Sequence, residues 1–252
     1  MRLQLCTWQE VEAYLRGSRG IIIPIGSTEQ HGPTGFIGTD ALCPELIAKG
    51  IGDSLGVMVA PTIAVGMAQH HLGFPGSMTL RPSTLMAVVQ DTVNSLARHG
   101  FTRFFFLNGH GGNIATVTAA FSEIYAESSL GTAGHNRPSL KCRLVNWWDC
   151  EGIKKISAEK FAEAEGSHAT ASEVSLTYYG YPEDATRVSQ IALEPRLAPE
   201  GPIYDAEDYR RRFPDGRIGS DPSLATAEIG EELYRWAVEE VSQQYQAFLD
   251  EI

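Results

Sequence analysis

Four short apolar runs, rich in β-branched or aromatic residues, recur along the first 150 residues of the chain. They are GIIIPIG at 20–26, VMVAPTIAVG at 57–66, TRFFFLNG at 102–109 and KCRLVNWW at 141–148. Such runs are typical of strands that are buried on both faces of a sheet. The sequence therefore predicts four core strands.

Segments with helical spacing of apolar residues alternate with these runs. The predicted helices cover residues 41–56, 82–100, 113–127 and 224–249. Alternating strands and helices favour an α/β protein whose parallel sheet carries helices on both faces. The segment 181–223 is rich in proline, glycine and charge, and we interpret it as long ordered loops or an arm that reaches another subunit.

Composition narrows the class of protein. No repeat, low-complexity tract or composition break divides the 252 residues, so we expect a single domain over residues 1–252. The formal net charge of −11 argues against nucleic acid or an anionic membrane as a partner, because both attract a basic surface. No stretch approaches the roughly 18 apolar residues that a membrane-spanning helix needs.

The cysteines and the N-terminus favour a reducing compartment. The four cysteines lie far apart and form no CxxC pair, which is typical of free thiols rather than a disulfide framework. The first residues lack the apolar centre of a signal peptide. We therefore expect a cytoplasmic protein.

Polar side chains follow each predicted strand. In chain order they are Glu29, His31 and Asp40, then His70 and His71, then Asn108, His110 and Asn113, and finally Trp147, Trp148 and Asp149. Ligands bind at the carboxyl ends of the strands in open parallel sheets, so these groups are expected to share one edge. Imidazole and carboxylate donors suit zinc, manganese or iron. From spacing alone, ordinary solvated loops are as good an interpretation of these residues as a metal site.

Several motifs resemble those of one family. PIGSTEQHGPTGFIGTD at 24–40, FLNGHGGN at 106–113 and HATASEVS at 168–175 are similar to three signatures of the creatininase (creatinine amidohydrolase) family. HHLGFPGSMTL at 70–80 and GSDPSLATAEIGEEL at 219–233 resemble two further segments of that family. The resemblance thus covers nearly the whole chain in the right order, and the NGHGGN loop places it in one branch of the family.

The resemblance implies a creatininase-like fold, a three-layer α/β/α sandwich with a mainly parallel sheet. It also implies a homo-oligomer, often a hexamer, with a divalent metal centre that hydrolyses C–N bonds of a small-molecule substrate. By motif position, the metal ligands are Glu29, His31, Asp40 as the bridging group, and His110. Zinc is the first expectation, with manganese or iron as alternatives and one or two ions per chain.

The chain also departs from the family pattern. Members that hydrolyse creatinine carry a further glutamate ligand two residues after the histidine matched by His110, where this chain has Gly112. Glu173 is the candidate for the missing carboxylate, as a ligand or as a catalytic group. Thr34 replaces a histidine of the family's active-site loop, and Thr170 and Val174 replace a glycine and a threonine. These changes leave the matched ligands in place and leave the substrate open.

His168 is the candidate for proton transfer to the leaving nitrogen. Its family position and the near-neutral pKa of imidazole support that role. The alternative is a structural residue in a helix that Ser167 would cap and that would run through residue 181. In a regular helix Glu173 would lie about 140° round from His168. The two would then share a pocket only if His168 stood at the very start of the helix.

Four residues are candidates for substrate binding. Trp147 and Trp148 could form an aromatic wall for a flat heterocycle, with core or interface packing as an equal alternative. His71, by motif match, and Asn113 complete the set, with His71 reaching the pocket of its own or a neighbouring subunit.

The leading hypothesis is a metal-dependent amidohydrolase acting on a small cyclic amide or formamide-type substrate. A metal can lower the pKa of bound water from 15.7 to about 7 and so supply hydroxide at neutral pH. A formamidopyrimidine deformylase-like or peptide-trimming activity is an open alternative within the same class. A non-catalytic metal- or small-molecule-binding protein and a metal-free α/β protein are the alternatives outside it.

Overall fold

The strands form one parallel sheet. A computed structural model describes residues 1–131, 138–188, 193, 199 and 201–251. Its strands are β1 (Gly20–Ile25), β2 (Met58–Val59), β3 (Arg103–Asn108) and β4 (Lys141–Asn146). They pair in the order β2-β1-β3-β4, and every pair is parallel. The predicted parallel sheet is confirmed.

Helices connect and cover these strands. Within the described residues they are α1 (Trp8–Leu15), α2 (Thr39–Leu55), α3 (Pro82–Arg98), α4 (Asn113–Ser129), α5 (Glu151–Lys160), α6 (Ala171–Gly180), α7 (Pro182–Ala185), α8 (Ala206–Arg212) and α9 (Ala227–Leu249). Short 3-10 turns at Gln69–His71 and Trp147–Asp149 follow the second and fourth strands. None of these helices combines the length and apolar character needed to cross a membrane.

The core lies in two layers, one on each face of the sheet. Side chains of successive strand residues point to opposite faces. Ile21 and Ile23 pack with apolar residues of α3 and α4, whereas Ile22 and Phe105 pack with α2, α5, α6 and α9. Because both faces are covered, the strands are continuous apolar runs. The three-layer α/β/α sandwich is confirmed.

Strand register brings the polar loops to one edge. Ile25 pairs with Asn108, and Asn108 pairs with Asn146, so β1, β3 and β4 end at the same level. The residues that follow these strands therefore leave the sheet side by side.

The second strand is shorter than the apolar run predicts. Only Met58 and Val59 pair regularly with β1, although Ile63 makes a further isolated bridge to Ile25. Pro61 lies between them and has no N–H to donate, so it cannot continue the ladder.

The helix predicted to begin at Ser167 begins later, so Ser167 as its N-cap was wrong. Ala169 has a φ of 54°, in the left-handed region, which interrupts any helix there. Thr170 is extended and forms a capping box with Glu173, which starts α6 at Ala171. His168 consequently precedes the helix and pairs with Ile218 in an isolated bridge.

The segment 181–223 contains α7 and α8, which the proline-rich composition did not reveal. Of this segment, residues 189–192, 194–198 and 200 lie outside the described residues. Its use as an arm toward another subunit stays a prediction.

The beginning of α2 packs directly on the loop after β3. A Cβ atom added at Gly109 would lie 2.0 Å from the carbonyl oxygen of Asp40 and 2.6 Å from Cδ of Pro44. Only glycine permits this approach. The contact fixes Asp40 beside the loop that carries His110.

We expect Gly109→Ala to lower the free energy of unfolding by about 1–3 kcal/mol, because the added methyl group must displace the start of α2. Gly111→Ala is the matched control, since a Cβ there meets nothing within 4 Å. Denaturant unfolding of both variants checks this. Equal stability of the two variants would contradict the close packing described.

Candidate metal centre

Seven polar side chains converge beyond the carboxyl ends of the strands. They are Glu29 and His31 from the loop after β1, Asp40 from the first turn of α2, His71 from the 3-10 turn after β2, His110 from the loop after β3, His168 from the segment before α6, and Glu173 from the first turn of α6. The structure thus brings together all five predicted metal ligands and the predicted catalytic histidine.

Asp40 stands between two histidines. Its Oδ1 lies 2.9 Å from Nε2 of His31, and its Oδ2 lies 2.8 Å from Nδ1 of His110. The side chain is only 4% exposed. One carboxylate therefore presents each oxygen to a different imidazole, which is the geometry of a bridging ligand.

Two sets of donors meet at Asp40. One consists of Glu29, Asp40 and His110, and the other of His31, Asp40 and Glu173, with the donor atoms of each set within 4.8 Å of one another. In the first set Nδ1 of His110 lies 2.8 Å from Oδ2 of Asp40, and in the second Oε1 of Glu173 lies 3.8 Å from Nε2 of His31. The arrangement offers places for two ions that share Asp40.

The two histidines predicted as ligands have their remaining nitrogens committed to backbone carbonyls. Nδ1 of His31 lies 2.9 Å from the carbonyl oxygen of Glu29, and Nε2 of His110 lies 3.0 Å from that of Met67. A carbonyl only accepts, so both nitrogens donate. The opposite nitrogens, which face Asp40, are the ones free to bind a metal, as in most histidine metal sites.

Glu29 shows why a cation fits here. It is fully buried, and among the described residues neither of its carboxylate oxygens has a hydrogen-bond partner. Nε2 of His71 lies only 3.0 Å from Oε1, but its direction is not that of a hydrogen bond. An ionised carboxylate buried in this way is costly unless a cation compensates it. The carboxylate and imidazole donors suit Zn²⁺, Mn²⁺ or Fe²⁺.

The carboxylates make the site strongly attractive to positive charge. Burial raises the pKa of Glu29, and Asp40 raises it further. Burial alone would lower the pKa of His31, but Asp40 and Glu173 outweigh it and raise the pKa to about 10. The pKa of His110 reaches about 9, because Glu29 and Asp40 outweigh the effect of its burial. A divalent ion bound here would take the place of these protons, since ligating groups must be deprotonated.

Glu173 and His168 differ from these groups in their electrostatics. Burial raises the pKa of Glu173 to about 7, with His31 opposing and Asp40 adding to the shift. Burial, together with His71 and His31, holds the pKa of His168 well below its usual value. His168 is therefore a neutral imidazole at pH 7.

A cavity of about 480 Å³ opens beside these groups. Its lining includes Asp40, His110, His168 and Glu173 together with Trp147, Trp148, Lys154, Ser157 and Glu165. This volume is in the range of small-molecule sites. Trp148 contributes a partly exposed ring, whereas Trp147 is 1% exposed and belongs mainly to the core.

Two predicted substrate-binding residues lie elsewhere. His71 is buried behind Glu29, and Asn113 bonds the carbonyl oxygen of Gly26 and the amide of Met67 at 3.0 and 3.1 Å. Neither is among the described residues that line the cavity. Asn113 shapes the loops around the site, and contact with substrate stays a prediction for both.

Sequence reasoning missed two residues of the site. Glu165 lines the cavity and accepts a hydrogen bond from the amide of Ser172 at 3.3 Å. Gln30 lies between two predicted ligands in the sequence, and its side chain contacts both His71 and His168 at 2.9 Å. The only local signal for Gln30 was its place inside the Glu-x-His motif.

Gly112 stands where creatinine-hydrolysing members carry a glutamate ligand, and the structure leaves no room for a side chain there. A Cβ added there would lie 2.4 Å from Nε2 of His110 and 2.5 Å from the carbonyl oxygen of Met67. The His110 ring therefore occupies the space that a side chain at 112 would need. A carboxylate ligand has to come from another element, and Glu173 stands where one is needed.

Comparison with known proteins identifies the family. The sequence model of the family described as Creatininase: Creatinine amidohydrolase matches residues 4–245. The chain belongs to the creatininase family.

Relatives within this family have different activities. The creatininase-family chain is 29% identical to the creatinine amidohydrolase of Pseudomonas putida over 248 residues, which cover 94% of this chain and 92% of that one. It is 26% identical to the mycofactocin precursor peptide peptidase of Mycolicibacterium smegmatis over 228 residues, covering 85% and 79% of the two chains. A solved structure named "Creatininase Mn" has the same fold, with a TM-score of 0.85, 24% identity and 99% coverage of both chains.

We expect Asp40→Ala to lose bound metal from both donor sets, because each set includes Asp40. Mass-spectrometric metal analysis of protein purified without chelator or a nickel column checks this. Asp53→Ala is the control, since Asp53 is exposed on the same helix α2. Full metal occupancy in Asp40→Ala would contradict the bridging role.

Proposed function

We propose that this creatininase-family chain is a metal-dependent amidohydrolase that hydrolyses a C–N bond of a small cyclic amide or formamide-type molecule. The observation that carries the proposal is the pair of donor sets, buried except for the partly exposed Glu173, that are joined by Asp40 at a cavity of about 480 Å³. Family membership supports the same reaction class, since a relative named for amide hydrolysis aligns over nearly the whole chain.

Each donor set would hold one ion. Glu29, Asp40 and His110 form the first set, and His31, Asp40 and Glu173 form the second. Zinc is the expected metal, and manganese is the alternative that the similar creatininase structure supports by its name. A divalent ion in such a site polarises a carbonyl oxygen and lowers the pKa of water, which together make an amide open to hydrolysis at neutral pH.

His168 is placed to handle the proton that hydrolysis moves. It lines the cavity, and its Nδ1 lies 3.8 Å from Oε1 of Glu29, whereas its Nε2 lies 2.8 Å from the carbonyl oxygen of Gln30. Nε2 therefore donates to the backbone. Nδ1 is then left unprotonated, and a neutral imidazole nitrogen at the site can accept a proton from water and pass it to the leaving nitrogen.

The cavity walls favour a compact, flat substrate. Trp148 presents a partly exposed aromatic surface in the cavity lining. Trimming of a peptide is the second candidate, because the mycofactocin precursor peptide peptidase is a relative of similar identity. The single-domain organisation, the homo-oligomer (possibly a hexamer) and the cytoplasmic location stay predictions.

The proposal is tested by offering the zinc- and manganese-loaded protein three groups of substrates: creatinine and other cyclic amides, formamides, and short peptides. We expect release of an amine or opening of the ring in the first two groups, abolished by chelator and restored by metal. Cleavage of peptides alone would favour the second candidate. No hydrolysis by a fully loaded protein would favour a binding protein without catalysis.

We expect His168→Ala to lower kcat by about 10²- to 10⁴-fold while metal content is unchanged, because general acid–base catalysis contributes about that much. His99→Ala, an exposed histidine at the end of α3, is the control. Steady-state kinetics together with metal analysis check the result. An unchanged kcat would remove His168 from the mechanism, and a loss of metal would make it a ligand instead.

A further inference from the structure

The side-chain amide of Gln30 has only one allowed orientation. Its Oε1 lies 2.9 Å from the backbone N–H of Gly32, and its Nε2 lies 2.9 Å from the carbonyl oxygen of Gly216. An N–H can only donate and a carbonyl can only accept, so exchanging Oε1 and Nε2 would lose both bonds and create two repulsions. The amide is also tightly enclosed, since Gln30 is 8% exposed.

This orientation decides the tautomer of His71. The second hydrogen of Nε2 in Gln30 points to Nδ1 of His71 at 2.9 Å, whereas the hydroxyl of Tyr209 is more distant at 3.4 Å. Nδ1 must therefore accept, and the ring proton of His71 lies on Nε2. That nitrogen faces Oε1 of Glu29 at 3.0 Å.

The main chain of the same residue decides the tautomer of His168. Nε2 of His168 lies 2.8 Å from the carbonyl oxygen of Gln30, and a carbonyl only accepts. Nε2 therefore carries a proton, and its 2.9 Å approach to Nε2 of Gln30 is a contact between two donors rather than a hydrogen bond. Nδ1 is left as the nitrogen directed toward Glu29.

We propose that Gln30 is a positioning residue that fixes both His71 and His168 as Nε2–H tautomers, through its side chain and its main chain respectively. Nε2–H of His71 then lies 3.0 Å from Oε1 of Glu29, where its partial positive charge favours the ionised carboxylate without a hydrogen bond. His168 keeps an unprotonated Nδ1, 3.8 Å from Oε1 of Glu29. The hydrogen bond made at one ring nitrogen of a histidine sets which nitrogen carries the proton. The tautomers follow from hydrogen bonding alone, and only their use in hydrolysis rests on the proposed function.

The direct test is NMR of zinc-loaded protein carrying ¹⁵N-labelled histidine, because protonated and unprotonated ring nitrogens give separate ¹⁵N signals. His71→Asn and His168→Asn identify the two rings. We expect the wild-type protein to show protonated Nε2 in both rings and unprotonated Nδ1 in His71. A proton on Nδ1 of His71 in the wild type would overturn the proposal.

Gln30→Glu keeps the shape of the side chain and replaces the donor by an acceptor. We expect the proton of His71 to move to Nδ1 in this variant, where the new carboxylate accepts it. The signals of His168 should keep a protonated Nε2, since the backbone carbonyl at position 30 is unchanged. If His71 kept its tautomer in Gln30→Glu, Gln30 would not be the group that sets it.

Zinc affinity gives a second readout that does not depend on turnover. Loss of groups behind the ligands commonly costs about 10- to 100-fold in metal affinity, and we expect a loss of that size for Gln30→Met. Competition with a chromophoric chelator measures it. Gln243→Met, on the exposed side of α9, is the control and should leave affinity unchanged. Equal affinity of Gln30→Met and wild type would overturn the positioning role.

The outcomes separate the two proposals. The expected tautomers in a protein that hydrolyses no amide would refute the proposed function and leave the role of Gln30 standing. Amide hydrolysis by a protein with the opposite His71 tautomer would refute the role of Gln30 and leave the proposed function standing.

Discussion

The position of Asp40 is the constraint on which the site depends. Its two oxygens face two histidines at 2.9 and 2.8 Å, and each histidine comes from a loop that follows a different strand. The carboxylate reaches both because the start of α2 packs directly on the loop after β3. The backbone of Asp40 lies so close to Gly109 that no side chain would fit at position 109. In-register parallel strands bring these loops to one edge. The fold thus sets the separation of the two donor sets before any ion binds.

The chemistry follows from how these charges are buried. Glu29 has no exposed surface and no hydrogen bond to its carboxylate among the described residues, and Glu173 is held by the capping box of α6. Their pKa values rise on burial, whereas those of His31 and His110 are raised by the carboxylates around them. Such a site favours the binding of positive charge, either as protons or as a metal ion. A divalent ion satisfies it best, because it replaces several protons at once.

The sequence allowed much of this to be predicted, because strands buried on both faces leave continuous apolar runs and ligands follow them directly. The parallel sheet and the convergence of Glu29, His31, Asp40 and His110 rest on such local signals. Other features depend on contacts between distant segments. Gln30 acquires its role from Gly216, which is 186 residues away in the chain, and no spacing rule reveals that contact. The start of α6 depends on the left-handed φ of Ala169, which cannot be predicted from the type of side chain alone.

The most direct test of this account is anomalous X-ray diffraction from crystals of the zinc-loaded protein. The account predicts two zinc peaks per chain on either side of Asp40. One should lie with Glu29 and His110, and the other with His31 and Glu173. Zinc bound away from Asp40, or a single ion that leaves one oxygen of Asp40 still paired with its histidine, would contradict the bridging arrangement.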